Sequence, residues 1–135
     1  MSTSSTPPPR GPSKGAFRLL LLAILLIAAL VRAPLWLGES VIGDEVFTHD
    51  VVALPPLDAL AVVIEDVVHP PLHSMVLQGW AALAGGSVHE LRAFSCAMGL
   101  ATVLLVALLG REALASGAGG LFAALLVALN DAQAF

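Results

Sequence analysis

The stretch VVHPPLHSMV, residues 67–76, decides how this chain is read. Proline is tolerated in the first turn of a helix, where its missing N–H would have no partner, so Pro70 and Pro71 mark a helix start. The apolar run that follows reaches Ala84 and stops at Gly85-Gly86. Read as a membrane crossing, it makes the chain a four-span protein with His69 at headgroup depth on one face.

The surrounding sequence invites that reading. Of 135 residues 58% are hydrophobic and only 12% charged, with a mean hydropathy of +0.91. Soluble domains carry roughly a quarter charged residues, so the composition is that of a bilayer protein. The net charge is −4 with six Lys and Arg in all, which excludes a nucleic-acid partner. The single cysteine, Cys96, permits neither an internal disulfide nor a CxxC site.

Outward from the opening stretch, the expected architecture is all-α: a polytopic membrane bundle of about four transmembrane helices with two short juxtamembrane helices in the first outer loop. Residues 1–16 are rich in Ser, Thr and Pro and read as a disordered cytoplasmic tail. The first span covers 18–37, because LLLLAILLIAALV (19–31) alone reaches only about 20 Å of a ~30 Å core. Pro34 and the lack of a small-x-small cleavage site argue against a signal peptide. The outer loop, 38–68, carries Glu39, Asp44, Glu45, Asp50, Asp58, Glu65 and Asp66 and no Lys or Arg. Its apolar residues fall at helical spacing on either side of Pro55-Pro56, giving two surface helices with the prolines as the corner. Further spans follow at 69–84, 92–110 and 113–130, the last two separated by an Arg111-Glu112 turn. Residues 17–135 then form one membrane domain, and the stop at Phe135 just after NDAQ reads as a truncation.

Arg10, Lys14 and Arg18 precede the first span, so the amino terminus is expected in the cytoplasm and the acidic loop outside. With four spans, Arg92 falls near the cytoplasmic face and Arg111 in an outer turn.

Asp44 and Glu45 follow Gly43, and on a helix adjacent residues point about 100° apart, so one can face a cavity while the other pairs elsewhere. They can equally be solvated acids at a helix amino end, where the dipole favours them. Because one loop joins the first two apolar runs, these acids share a membrane face with His69. Arg32, at the end of the first span, either snorkels or pairs with a loop acid or a phosphate. His73, one turn beyond His69, reads as a satisfied polar residue, and His89 and Glu90 as solvated residues of an inner loop. Gln78 and Trp80 read as helix contacts and an interfacial anchor.

An arginine late in the first span, DE early in the first outer loop, HPPL at the second apolar run and then HELRAFSCAMGLATVLLVALLG together resemble the amino-terminal part of C-superfamily membrane glycosyltransferases. Within it the chain is most similar to the protein O-mannosyltransferase and lipid A aminoarabinose transferase group. The resemblance covers most of residues 18–130. It implies a plasma-membrane enzyme moving a sugar from a polyprenyl-phosphate donor to a protein, lipid or glycan acceptor at the extracytoplasmic face. It also implies Asp44 as general base with Glu45 assisting, Arg32, His69 and Arg92 on the donor phosphate, and a divalent cation or that phosphate at His69. One histidine and one carboxylate do not define a metal site. Such enzymes carry more spans and often a soluble outer domain, so this stretch alone is expected to be inactive. The rival is a non-catalytic multi-span protein or transporter segment, and a small complete membrane subunit is a third possibility.

Overall fold

The computed structural model describes residues 11–38, 43–66, 68 and 70–130. Within them the chain is all helical: α1 (Lys14–Leu37), α2 (Asp44–Ala53), α3 (Pro56–Asp66), α4 (Pro71–Ala84), α5 (Val88–Ala113) and α6 (Gly117–Ala128). The number of helices and the proline corner follow the sequence pattern, but the boundaries and lengths change what the helices can do.

Helix α1 begins at Lys14, earlier than expected, because Ser13 caps it: its Oγ accepts from the Ala16 N–H at 3.2 Å and its carbonyl from the Phe17 N–H at 2.8 Å. Composition alone assigned Ser13, Lys14, Gly15 and Ala16 to the tail. Helix α2 opens from Gly43, whose φ of 49° suits glycine. It ends at Leu54, which is extended (ψ 157°) as the residue before a proline must be. Pro56 then opens α3, and Pro71 opens α4.

Among the described residues two helices are long and apolar enough to cross a membrane: Lys14–Pro34, of mean hydropathy 2.4, and Val88–Ala113, of mean hydropathy 2.2. The 26 residues of the second rise about 39 Å, ample for a ~30 Å hydrocarbon core. Helix α4 has only 14 residues and α6 only 12, about 21 and 18 Å, so neither reaches across unaided. Gly85, at φ 111°, stops α4.

Helix α5 starts at Val88 through a capping box. The Ser87 N–H donates to Glu90 Oε2 at 2.8 Å and the Glu90 N–H to Ser87 Oγ at 3.4 Å. His89 and Glu90 are therefore in its first turn and not in a loop. At the other end α5 runs through Arg111 and Glu112, which do not form the turn. The turn lies at Leu114-Ala115, with the Ser116 N–H on the Arg111 carbonyl and the Ala115 N–H on that of Glu112. This is a Schellman closure with Ala115, at φ 47°, where glycine is usual. Ser116 then caps α6, accepting from the Gly119 N–H at 3.2 Å.

The described residues fall into two compact units. One unites α1 up to Val31 with the chain from Leu100 onward. Phe17, Leu21, Ile24 and Ala28 present one stripe of α1, Val103 and Ala107 a stripe of α5, and Leu121, Ala124 and Ala128 a stripe of α6. Small residues set the α5–α6 distance. A Cβ on Gly120 would strike the Ala107 carbonyl oxygen and lie 2.6 Å from the Arg111 nitrogen, so only glycine allows this approach. The Arg111 guanidinium sits 5.3 Å above the Phe17 ring, which places the end of α5 beside the start of α1. Arg111 thus shares an end with Lys14 and Arg18, contrary to the outer position expected for it.

The second unit spans Arg32–Gly99. Val51 of α2 and Ala59 and Val63 of α3 form its small core, with Phe47 against them. From α4, Gln78 Nε2 donates to the Val51 carbonyl at 3.3 Å and the Leu54 carbonyl at 3.0 Å, capping the carboxyl end of α2. Trp80 Nε1 donates to the Glu90 carbonyl at 2.8 Å, and its ring stands 5.6 Å from that of Phe94. Both residues make the inter-element contacts that tie α4 into this unit.

Candidate functional site

The DE pair opens α2, and the structure gives its second member a defined partner. Arg92 Nε donates to Glu45 Oε1 at 2.8 Å and Nη2 to Glu45 Oε2 at 2.7 Å, a two-point fork across 47 positions of sequence. Arg92 Nη1 also donates to the Gly38 carbonyl. One guanidinium therefore links the end of α1, the first turn of α2 and the second turn of α5. Planar bidentate geometry of this kind fixes direction as well as distance. The Arg92 side chain is 12% exposed and that of Glu45 41%, so the bridge is enclosed on the arginine side and open on the acid side.

Four crossings place Arg92 on the membrane face opposite Glu45, whereas the fork puts the two side chains next to each other. The physical reason is the length of α4: with 14 residues it returns within the unit, pinned at mid-helix by Gln78.

Asp44 is the first residue of α2, next to Gly43, where unpaired backbone N–H groups and the helix dipole favour a carboxylate. Its side chain, and all of His69, lie outside the described residues. Arg32 belongs to the same unit as Glu45 and Arg92 and is 3% exposed, so its head is enclosed by protein and does not snorkel. Gly99 makes room for it: a Cβ there would lie 2.9 Å from Arg32 Nε. Sequence inspection passed over Gly99, which carries no signal of its own until the arginine facing it is known.

Of the other titratable residues, His49 is 3.7 Å from Asp50 at the surface, and His73 and His89 are exposed. A groove of about 330 Å³ runs between α2 and α4, with His49 and Gln78 as its polar members and Val52, Leu54 and Ala81 among the apolar ones. Among the described residues no three of His, Cys, Asp and Glu converge where a metal ion would sit. Glu45 has both oxygens on Arg92, so the described donors do not fit the divalent cation that the glycosyltransferase resemblance allows.

Comparison with known proteins adds no relative: no family model, no curated protein and no solved structure matches this chain.

Proposed function

We propose that this chain is the amino-terminal part of a plasma-membrane glycosyltransferase that takes a sugar from a polyprenyl-phosphate donor at the extracytoplasmic face. The observation that carries the proposal is the Glu45–Arg92 fork. It brings together two of the sequence elements on which the family resemblance rests, the DE pair and the arginine of HELRAF, although they are 47 residues apart.

In this scheme Asp44 takes the proton from an acceptor hydroxyl or amine as that atom attacks the anomeric carbon. The new glycosidic bond forms, the bond from the anomeric carbon to the phosphate oxygen breaks, and the polyprenyl phosphate leaves with the electron pair. A positioned base of this kind supplies about 10²–10⁴-fold in rate. Glu45 does not share the proton transfer. Held by Arg92, it fixes the first turn of α2, the turn to which Asp44 belongs. Arg92 acts with it as a positioning residue, its fork committed to Glu45 and Gly38. His69 is left as the group proposed for the donor phosphate, because Arg32 is enclosed by protein against Gly99. The acceptor is a protein, a lipid or another envelope glycan.

The proposed topology has two crossings, α1 and α5, joined by the α2–α4 unit. Lys14, Arg18 and Arg111 gather at the cytoplasmic end, in keeping with the positive-inside tendency. The four-crossing arrangement requires α4 and α6 to span with helices of 14 and 12 residues.

The test is transfer from polyprenyl-phosphate hexoses and pentoses in membranes carrying the native protein. Asp44→Asn should abolish transfer at unchanged abundance, while Asp58→Asn, on α3, should retain it. Full transfer by Asp44→Asn would leave the rival, a non-catalytic membrane protein whose Glu45–Arg92 fork serves packing alone.

A further inference from the structure

Helix α4 carries no Asp, Glu, Lys or Arg, although among the described residues the acids of its unit stand on α2, α3 and the start of α5. Its inner face is accounted for: Ser74 and Leu77 are buried, and Gln78 is bound to α2. At 100° per residue, Leu72, Met75, Val76, Gly79, Ala82 and Leu83 fall on one arc of about 120° opposite Leu77. All six are exposed, Leu83 to 88%, Leu72 to 73% and Met75 to 52%. A helix facing water on that side would carry polar residues there.

Its position in the chain identifies what covers this face. Only Gly85, Gly86 and Ser87 separate α4 from α5, one of the two helices long enough to cross a bilayer. Four chain steps extend about 14 Å at most. The carboxyl end of α4 is therefore tethered within about that distance of the point where a membrane helix begins. In α5 itself Leu105 and Leu109 are 56% and 66% exposed, one turn apart, an uncovered apolar stripe of the kind a membrane-crossing helix turns to lipid. An uncharged face confined to the membrane boundary meets acyl chains at lower cost than water, at roughly 25 cal/mol per Å² of apolar surface covered.

We infer that α4 is an interfacial helix: it lies along the bilayer surface with the Leu72–Met75–Leu83 face among the upper acyl chains and holds the α2–α3 acids at the headgroup level. Its occupant is lipid, not a protein partner. The inference rests on α1 and α5 crossing the membrane and is independent of the transfer reaction. It goes beyond the two-crossing topology, which leaves open whether α4 touches the bilayer.

Nitroxide labels on single cysteines at positions 72, 75 and 83, in a Cys96→Ser background, test this in phosphatidylcholine–phosphatidylglycerol vesicles holding the full protein. Relaxation by oxygen and by a water-soluble nickel chelate reports depth. The expected result is oxygen-rich, nickel-poor exposure at all three positions, at one shallow depth. A spanning α4 would instead show depth changing by most of the ~16 Å rise between positions 72 and 83. That gradient overturns the inference, as does nickel access matching that of a label on Asp58. Labels immobile and shielded from both reagents would also overturn it, since a protein surface would then cover the face. Loss of transfer with the shallow profile intact would count against the enzyme and leave α4 in the interface.

Discussion

The two units of this molecule are held by opposite means. The α1–α5–α6 unit has a core of Phe, Leu, Ile, Val and Ala, with a glycine letting two backbones approach. The Arg32–Gly99 unit has, among its described residues, a small cluster of Val51, Ala59 and Val63 and is joined by side-chain bonds over long sequence distances: Glu45–Arg92, Gln78 to α2 and Trp80 to Glu90. In lipid, close packing has to provide the attraction between helices, because acyl chains are as apolar as leucine. Where water and headgroups are near, directional polar bonds can select one arrangement of short helices that packing alone would leave loose. The candidate site belongs to the second unit, where position is defined by a few specific bonds.

Perturbations of each unit should differ accordingly. Gly120→Val places a side chain against the Ala107 carbonyl and the Arg111 nitrogen, both backbone, so α5 and α6 must separate. The expected loss is at the upper end of the about 1–3 kcal/mol typical of overpacking, measured by denaturant unfolding in micelles. Asp58 and Asp50 should show no such sensitivity.

Arg92→Gln breaks the fork, and because Glu45 is partly exposed the cost should fall at about 1–2 kcal/mol, between exposed and buried pairs. If the fork positions α2, the charge-swapped pair Glu45→Arg with Arg92→Glu should recover stability relative to either single change. A double-mutant cycle with no coupling would remove the fork from the account of the site.

Ser87→Ala deletes half of the capping box and should cost about 0.5–1 kcal/mol, read in the same unfolding assay. The smallest effect should have the opposite sign. Ala115→Gly relieves a left-handed φ of 47°, offset in part by glycine's greater freedom in the unfolded chain, and should stabilise by about 0.3–0.5 kcal/mol.

The same contrast explains what could be seen in the sequence. Apolar periodicity and the Pro55-Pro56 and Pro70-Pro71 pairs located all six helices, because proline rules act on neighbouring residues. The capping box at Ser87 and Glu90 was also legible, and missing it put His89 and Glu90 in a loop. The Arg111-Glu112 turn was misplaced because two charges look like a break, while the true turn has alanine at its left-handed position and gives no glycine signal. The run at 69–84 was read as a crossing because it is apolar up to a glycine pair, without setting its about 24 Å against the ~30 Å hydrocarbon core. Glu45 and Arg92 were each singled out, but their pairing was beyond reach, since nothing local to either residue refers to the other 47 positions away. Arg32 against Gly99 was hidden for the same reason.

Whether Arg92 and Glu45 share a compartment can be measured by labelling single cysteines at positions 58, 89 and 112 with an impermeant maleimide, in sealed vesicles lacking Cys96. With two crossings, 58 and 89 react from one side and 112 reacts only after permeabilisation. If 89 reacts from the side opposite 58, and 112 from the same side as 58, α4 crosses the bilayer and the bridged site described here does not exist in the membrane.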